Sequence, residues 1–210
     1  MSLCFTRLFI HCSWGAQQFP ATLENAEDAS EAIKGLNEGG FVGDGGWGGE
    51  AFIDFDAVNI GLDEQVKLVE TTDKNGQSAG YYMAPWSYFS DDLTATTECG
   101  GKVWNVVDMV KKDAKGTPLK VLDKRVMFQT NYAYDPTHEG VLCAAMRDID
   151  KAIEAGMKLV KIDFINWGAM EGGSGESGEH FVGEVETGVA AYNYGMEKIA
   201  EKIGEEMIIR

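Results

Sequence analysis

Short apolar strands alternate with amphipathic helices along the chain, and this alternation restricts the fold more than any other sequence feature. Apolar runs typical of buried strands occur at 7–11, 41–43, 79–83, 158–164 and 206–209. Between them, apolar residues recur at helical spacing, which predicts helices at 23–36, 63–74, 141–155 and 187–203. Such an alternation favours an α/β fold with a parallel sheet and helices packed outside it.

The segment 84–128 interrupts this alternation because it begins with no clear helical period. Val-rich stretches at 102–110 and 119–128 flank the turn sequence KGTP at 115–118. This pattern predicts a β-hairpin inserted after the third strand. We expect residues 1–210 to form one domain that contains this insertion.

The charge balance excludes several classes of partner. The 34 acidic and 18 basic residues give a net charge of −16, which repels phosphate backbones and anionic membrane surfaces. The apolar runs fall far short of the roughly 20 residues that cross a bilayer. We therefore expect no nucleic-acid and no membrane partner. The first ten residues are a poor signal peptide, so the compartment stays open: export if the full-length protein carries a leader, and the cytoplasm otherwise.

Cysteine and histidine spacing gives no sign of a metal site. The four cysteines contain no C-x-x-C pair, and the three histidines are scattered. The Gly-rich segment at 43–50 is not a phosphate loop, because no Lys-Ser/Thr follows it. We expect no cofactor. Four free thiols are the simpler expectation, and a disulfide stays open.

Polar and aromatic residues that follow the predicted strands are the candidates for a functional site, because ligands bind at the carboxyl ends of parallel strands. Indole faces can stack on sugar rings, and carboxylates and amides can hydrogen-bond the sugar hydroxyl groups. Because the candidates include all of these groups, they indicate a carbohydrate site. The structural alternatives are packing for the tryptophans and turn formation for Asp44 and Asp135. The candidates are Ser13, Trp14, Asp44, Trp47, Pro85, Trp86, Tyr88, Gln129, Asn131, Tyr132, Asp135, His138, Lys161, Asp163, Asn166 and Trp167.

Asp163 is the sharpest candidate for chemistry. In KLVKIDF it alternates with Lys161, so both side chains should point to one face of the strand. A nearby ammonium group favours the ionised carboxylate, and an ionised carboxylate at the end of a barrel strand can attack an anomeric carbon. The alternative is a buried Lys–Asp pair that only orders the fold.

Several segments keep an order that is similar to that of a known enzyme family. They run from about Ser13 to the last residue and include SWGA, GGFVGDGGW, YYMAPW, YDPTHEG, KLVKIDFINWGAMEGG and AAYNYGM. Together they resemble the catalytic barrel of the α-galactosidase-type (melibiase-like) retaining glycoside hydrolases. The resemblance implies a TIM (β/α)₈-type barrel, of which this chain holds about the first five βα units. It also implies an oligo- or polysaccharide substrate whose α-glycosidic bond is hydrolysed with retention through a covalent glycosyl-Asp intermediate.

The same resemblance implies roles for individual residues. Asp163 matches the nucleophile, Lys161 a lysine that contacts substrate hydroxyls, and Trp14 the first-strand tryptophan. Asp44 and Trp47 match two positions of an Asp-Asp-Gly-Trp segment that binds the sugar, in which Gly45 here replaces an Asp and leaves the identity of the sugar open. The remaining substrate-binding candidates are Trp86, Asn166 and Trp167.

The general acid/base of the family is an Asp on a later strand, and it has no counterpart that we can assign here. We therefore expect the isolated chain to be inactive or severely impaired. An unclosed parallel sheet leaves strand edges unpaired, which predicts self-association or a missing C-terminal barrel segment. Two alternatives stay open: a non-catalytic carbohydrate-binding relative, and a different barrel enzyme such as an isomerase or lyase, which would need a metal cluster or phosphate site.

Overall fold

The computed structural model describes residues 9–12, 22–38, 51–55, 61–123 and 130–210. The four predicted helices are confirmed: three of them are one or two residues longer than predicted, and the last begins one residue later. The elements in chain order are β1 (Phe9–Cys12), α1 (Leu23–Glu38), β2 (Ala51–Phe55), α2 (Leu62–Lys74), β3 (Ser78–Met83), β4 (Ser87–Tyr88), β5 (Thr96–Cys99), β6 (Lys102–Asn105), α3 (Val106–Met109), β7 (Lys120–Leu122), β8 (Asn131–Ala133), α4 (Glu139–Ala155), β9 (Leu159–Ile162), α5 (Ile165–Gly168), α6 (Gly188–Ile203) and β10 (Ile208–Ile209).

Five strands form one sheet in the order β1-β2-β3-β9-β10. The pairs β1–β2, β2–β3 and β9–β10 run parallel. Helix α1 connects β1 to β2 and helix α2 connects β2 to β3 along the chain. The predicted α/β class is therefore confirmed for the described residues.

The strand β2 was not predicted from the sequence. The run 41–43 lies outside the described residues, and the strand that pairs with both β1 and β3 is β2. The sequence AFIDF places Ile53 in the core, where it is fully buried. Asp44 and Trp47 precede β2 in the chain, and their placement after a strand at 41–43 stays a prediction because all of these residues lie outside the described ones.

The chain divides into two compact units. The first comprises Met1–Met83, Asp150–Lys161 and Glu205–Arg210, and it contains nearly all of the five-stranded sheet. The second comprises Ala84–Ile149 and Ile162–Gly204, so the segment 84–128 lies wholly within it. This second unit contains two small antiparallel sheets, β4-β8-β7 and β5-β6.

Buried hydrogen bonds and apolar packing hold the first unit together. Leu68 of α2 and Leu159 of β9 are fully buried. Ser30 Oγ on α1 donates to Gln77 Oε1 at 2.6 Å, and Gln77 Nε2 donates back to the Ser30 carbonyl at 3.0 Å. Because both side chains are buried, this reciprocal pair fixes α1 against the turn that leads into β3.

The β-hairpin predicted from 102–110 and 119–128 is wrong in its pairing. β6 pairs with β5, and β7 pairs with β8. Gly100 and Gly101 cause the difference, because their φ values of 62° and 72° form a two-residue turn that the sequence prediction overlooked. The KGTP turn remains local, with a single bridge between Lys112 and Pro118.

A disulfide joins Cys99 of β5 to Cys143 of α4, which corrects the expectation of four free thiols. The two residues are 44 positions apart in the sequence. Spacing alone does not reveal such a pairing, since three connectivities are possible for four cysteines. The bond ties the β5–β6 hairpin to the helix that follows β8.

We predict that breaking this disulfide destabilises the protein. Closing a loop of this length restricts the unfolded chain, so reduction should lower the free energy of unfolding by about 2–4 kcal/mol. Guanidinium unfolding of the oxidised protein and of Cys99→Ser/Cys143→Ser measures the difference, with Cys12→Ser, which removes a thiol outside this bond, as the control. Equal unfolding midpoints for the double variant and the control would contradict the prediction.

Candidate functional site

Asp163 follows β9 directly, and the chain passes from the first unit to the second between Lys161 and Ile162. The Asp163 side chain is partly exposed. Its Oδ1 accepts a hydrogen bond from the backbone N–H of Phe164 at 2.7 Å. Within the described part of the chain, Oδ2 has no hydrogen-bond partner. One carboxylate oxygen is therefore anchored to the backbone and the other is available.

The residue after Asp163 has an unusual backbone. Phe164 has φ 52° and ψ 30°, in the left-handed region, and it is the only non-glycine residue with positive φ among those described. Its ring stacks on Trp167 with centroids 4.5 Å apart, and Phe89 meets it edge-on at 5.5 Å. The short helix α5 begins directly after it.

Trp86 is a core residue, which corrects the expectation that its ring lines the rim of the site. It is 0% exposed. A Cβ at Gly168 would lie 2.7 Å from the indole, and one at Gly195 would lie 2.6 Å from it, so both glycines are required by this packing. A ring enclosed in this way presents no face to a ligand.

The other two candidates on α5 differ in exposure. Trp167 is only 7% exposed and lies against the Phe164 ring. Asn166 is exposed. Of the two, Asn166 has the more accessible polar group for a substrate hydroxyl.

Lys161 belongs to the first unit and is partly exposed. Its Nζ lies 5.3 Å from the centroid of the Tyr82 ring and donates to Cys12 Sγ at 3.5 Å. This cation–π contact holds the Lys161 side chain against the Tyr82 ring. The expected contact with substrate hydroxyls stays a prediction.

The remaining assigned sugar-binding candidates, Trp14, Asp44 and Trp47, lie outside the described residues. Their roles stay predictions from the resemblance. Ser13 and Gln129 lie outside the described residues as well.

Asp135 is a structural residue, as the turn alternative predicted. It is 0% exposed. Its Oδ1 accepts from the Thr137 N–H at 3.0 Å and hydroxyl at 2.8 Å, while Oδ2 accepts from the Ser174 N–H at 2.8 Å and hydroxyl at 2.9 Å. His180 Nδ1 lies 3.2 Å from Oδ1. Burial by itself raises the pKa of Asp135, but these hydrogen bonds and the His180 imidazole outweigh it and lower the pKa.

Lys111 holds the segment after α5, and sequence reasoning missed it. Its side chain is 0% exposed, and Nζ donates to the carbonyls of Gly168 at 2.8 Å and Met170 at 2.5 Å. Burial lowers its pKa to about 8, against the opposing effect of the Asp135 and Glu171 carboxylates. The local sequence VKKDAKG is typical of an exposed turn, so no sequence signal pointed to a buried lysine.

In the part of the chain that is described, no group of three or more His, Cys, Asp or Glu side chains is arranged to hold a metal ion. None of the described helices has both the length and the apolar character that a bilayer span requires.

We predict that Asp135→Asn destabilises the protein by roughly 2 to 4 kcal/mol, because an amide NH₂ would face the Ser174 donors. Since folding lowers the Asp135 pKa below its usual 3.8, its stabilisation is present above that pH. It is lost as pH falls through the lower folded value. Unfolding free energies measured between pH 3 and 7 should therefore fall on acidification more steeply for wild type than for Asp135→Asn.

Asp92→Asn is a matched control. Asp92 Oδ1 accepts from the Thr94 N–H and hydroxyl, the same local motif, but at an exposed position. The loss of stability should be much smaller there. Equal losses of unfolding free energy in the two variants would contradict the prediction, because burial and the Ser174 contact would then add nothing to stability.

Solved structures of glycosidases share this fold. The α-galactosidase TtGalA from Thermus thermophilus, in complex with p-nitrophenyl α-D-galactopyranoside, matches with TM-score 0.65 and 20% identity over 97% of this chain and 37% of its own. The GH36 α-galactosidase AgaA A355E D478A from Geobacillus stearothermophilus, in complex with stachyose, matches with TM-score 0.58 and 14% identity over 97% and 27%. The Arthrobacter globiformis T6 isomalto-dextranase, complexed with panose, matches with TM-score 0.57 and 15% identity over 96% and 34%.

No protein-family model and no curated protein matches the sequence. This chain spans 37% to 39% of the two TtGalA structures, so it corresponds to part of such a chain. Identities of 20% and below establish the fold. The resemblance to α-galactosidase-type glycosidases is thus confirmed at the level of the fold. The fold of this chain matches part of the α/β barrel-type domain of these structures.

Proposed function

We propose that this chain is the nucleophile-bearing part of a retaining glycoside hydrolase of the α-galactosidase type. The observation that carries the proposal is the position of Asp163, partly exposed directly after β9 with one oxygen anchored to the Phe164 N–H. The fold shared with glycosidases solved with galactosides and oligosaccharides supports it.

The proposed chemistry is a double displacement. A carboxylate oxygen of Asp163 forms a bond to the anomeric carbon while the bond to the leaving oxygen breaks. The electron pair of the broken bond goes to the leaving oxygen, which takes a proton from a general acid. Water, deprotonated by the same group, then attacks the anomeric carbon and releases Asp163 as a carboxylate.

The second carboxylate required by this chemistry should lie about 5–5.5 Å from the nucleophile. The resemblance assigns no residue of this sequence to that role. We propose that another segment supplies the general acid/base, so that Asp163 alone does not complete the catalytic pair.

The proposed substrate is an α-linked oligo- or polysaccharide. The proposed contacts are Lys161 and Asn166 for the sugar hydroxyls and Trp167 as an aromatic neighbour, together with Trp14, Asp44 and Trp47. TtGalA is seen with a galactoside and with stachyose, and the isomalto-dextranase with panose. Gly45 in place of an acidic residue favours no single sugar among these.

A non-catalytic carbohydrate-binding protein is the second candidate. The exposed Asn166 beside the stacked Phe164 and Trp167 rings suits contact with a sugar without any bond formation, and this observation favours it. The two functions differ in one measurable respect, because only the hydrolase forms a bond between Asp163 and the sugar.

We predict that Asp163→Ala lowers turnover of aryl α-glycosides by roughly 10³-fold or more in the natural polypeptide that carries this chain. Azide should restore turnover, because it fits the space left by the carboxylate and attacks from the same side. The product should be a glycosyl azide of inverted anomeric configuration. Initial rates with and without azide measure the restored turnover, and NMR of the product identifies its anomeric configuration.

Glu184→Gln is the control, since Glu184 is an exposed carboxylate of the same unit. It should keep wild-type turnover and gain nothing from azide. Unchanged turnover in Asp163→Ala would exclude Asp163 as the nucleophile. Wild-type binding of a saccharide without any hydrolysis by the natural polypeptide would favour the binding protein.

We also predict that the purified 210-residue chain hydrolyses aryl α-glycosides far more slowly than a complete enzyme, because it would supply one carboxylate of the pair. In the described sheet β1 and β10 are the two end strands, and the end strands of an open parallel sheet promote self-association. Turnover assays and light scattering test both statements. Enzyme-like turnover by a monodisperse monomer would contradict them.

A further inference from the structure

We propose that Cys12 and Tyr82 are positioning residues for Lys161. Their side chains hold the Lys161 ammonium group in place before a sugar binds. This inference rests on the proposed contact of Lys161 with sugar hydroxyls, and it adds which side chains determine the position of that contact.

Two contacts of the Lys161 ammonium group are the first observation. Its Nζ donates a hydrogen bond to Cys12 Sγ at 3.5 Å. The same atom lies 5.3 Å from the centroid of the Tyr82 ring, within the range of a cation–π contact. Cys12 ends β1 and Tyr82 lies on β3. Because the two contacts come from different strands, together they restrict the ammonium group more than either contact does alone.

The contact between Lys161 and Cys12 also shows that the sheet is curved. In the sheet order, β2 and β3 lie between β1 and β9. Neighbouring strands are about 4.8 Å apart, so β1 and β9 would be about 14 Å apart in a flat sheet. A contact of 3.5 Å between their side chains therefore requires a curved sheet with both side chains on its concave face. In a barrel-type sheet the concave face is the interior.

Both positioning side chains belong to paired strands. Cys12 is in parallel register with Asp54 of β2. Tyr82 is 7% exposed and lies on a strand whose six residues are all buried. Side chains on packed strands are held more precisely than side chains on loops. Lys161 itself is partly exposed, so the two anchors fix a group that a ligand can reach.

The physical consequence concerns the conformational entropy of the lysine. A lysine side chain loses more rotamer freedom on immobilisation than most side chains do. Where the fold has already immobilised the ammonium group, a sugar hydroxyl binds to it without this loss. Removal of either anchor should therefore weaken sugar binding through Lys161 and leave the nucleophilic step unchanged.

A double-mutant cycle in the natural polypeptide that carries this chain tests the inference. Cys12→Ala removes the sulfur. Tyr82→Leu is compared with Tyr82→Phe, because both lack the phenol hydroxyl and only phenylalanine keeps the ring. Each variant is made both with Lys161 and with Lys161→Ala. The readout is steady-state hydrolysis of p-nitrophenyl α-D-galactopyranoside or p-nitrophenyl α-D-glucopyranoside, whichever is the better substrate.

Tyr194→Leu is the matched control. It removes another lysine–tyrosine contact, in which Lys198 Nζ lies 5.8 Å from the centroid of the Tyr194 ring on helix α6. This variant should leave both KM and kcat unchanged.

With Lys161 present, we expect Cys12→Ala to raise KM about three- to tenfold while kcat stays within about twofold of wild type. Tyr82→Leu should show the same increase relative to Tyr82→Phe. In the Lys161→Ala background the same substitutions should change KM by less than about twofold, because the group that they position is absent. If Tyr82→Leu does not fold, the partly exposed Cys12 decides the test alone.

Equal increases of KM with and without Lys161 would overturn the positioning role, because the two side chains would then act independently of the lysine. Wild-type KM in both Cys12→Ala and Tyr82→Leu would overturn it as well, and so would a loss confined to kcat. Turnover that persists in Asp163→Ala would instead refute the proposed function itself, so the two failures are distinguishable.

Discussion

The hydrogen bond between the Phe164 N–H and Asp163 Oδ1 is the interaction on which the functional interpretation depends. β9 ends at Ile162, and within two residues the backbone changes from an extended to a left-handed conformation. The hydrogen bond holds one Asp163 carboxylate oxygen at the end of the strand, and the left-handed Phe164 directly precedes helix α5. The contact of Phe164 with Phe89 and the hydrogen bonds from the buried Lys111 ammonium to the carbonyls of Gly168 and Met170 hold this segment, so its geometry depends on side chains that are distant in sequence.

Buried polar contacts organise the second unit around this segment. Asp135 binds the residues around Ser174 and His180, and Lys112 Nζ donates to the Ser174 carbonyl at 2.8 Å. Glycines allow the close approaches: Gly178, for example, has φ 79° and leaves no room for a Cβ beside the Lys112 carbonyl. The Gly-rich stretch after α5 is thus closely packed, and its glycines permit backbone contacts.

Periodicity predicted the four long helices and four of the five strands of the parallel sheet, because helix and strand periods depend on local apolar spacing. The four-residue helices α3 and α5 were not predicted, because they are too short to show a helical period. Periodicity also missed β2, where the sequence AFIDF follows a Gly-rich stretch. The hairpin partners were wrong because the Gly100–Gly101 turn outweighed the more apparent KGTP turn. The Cys99–Cys143 bond and the burial of Lys111 depend on contacts between distant segments, which the local pattern does not encode.

The position of Asp163 after a strand was predictable from KLVKIDF, whereas the burial of Trp86 was not, because it depends on two distant glycines.

The most direct test of the nucleophile assignment is peptide mapping by tandem mass spectrometry after reaction of the natural polypeptide with a mechanism-based fluorosugar. We predict a single glycosyl ester on Asp163. An ester on a different carboxylate, with Asp163 unmodified, would contradict it.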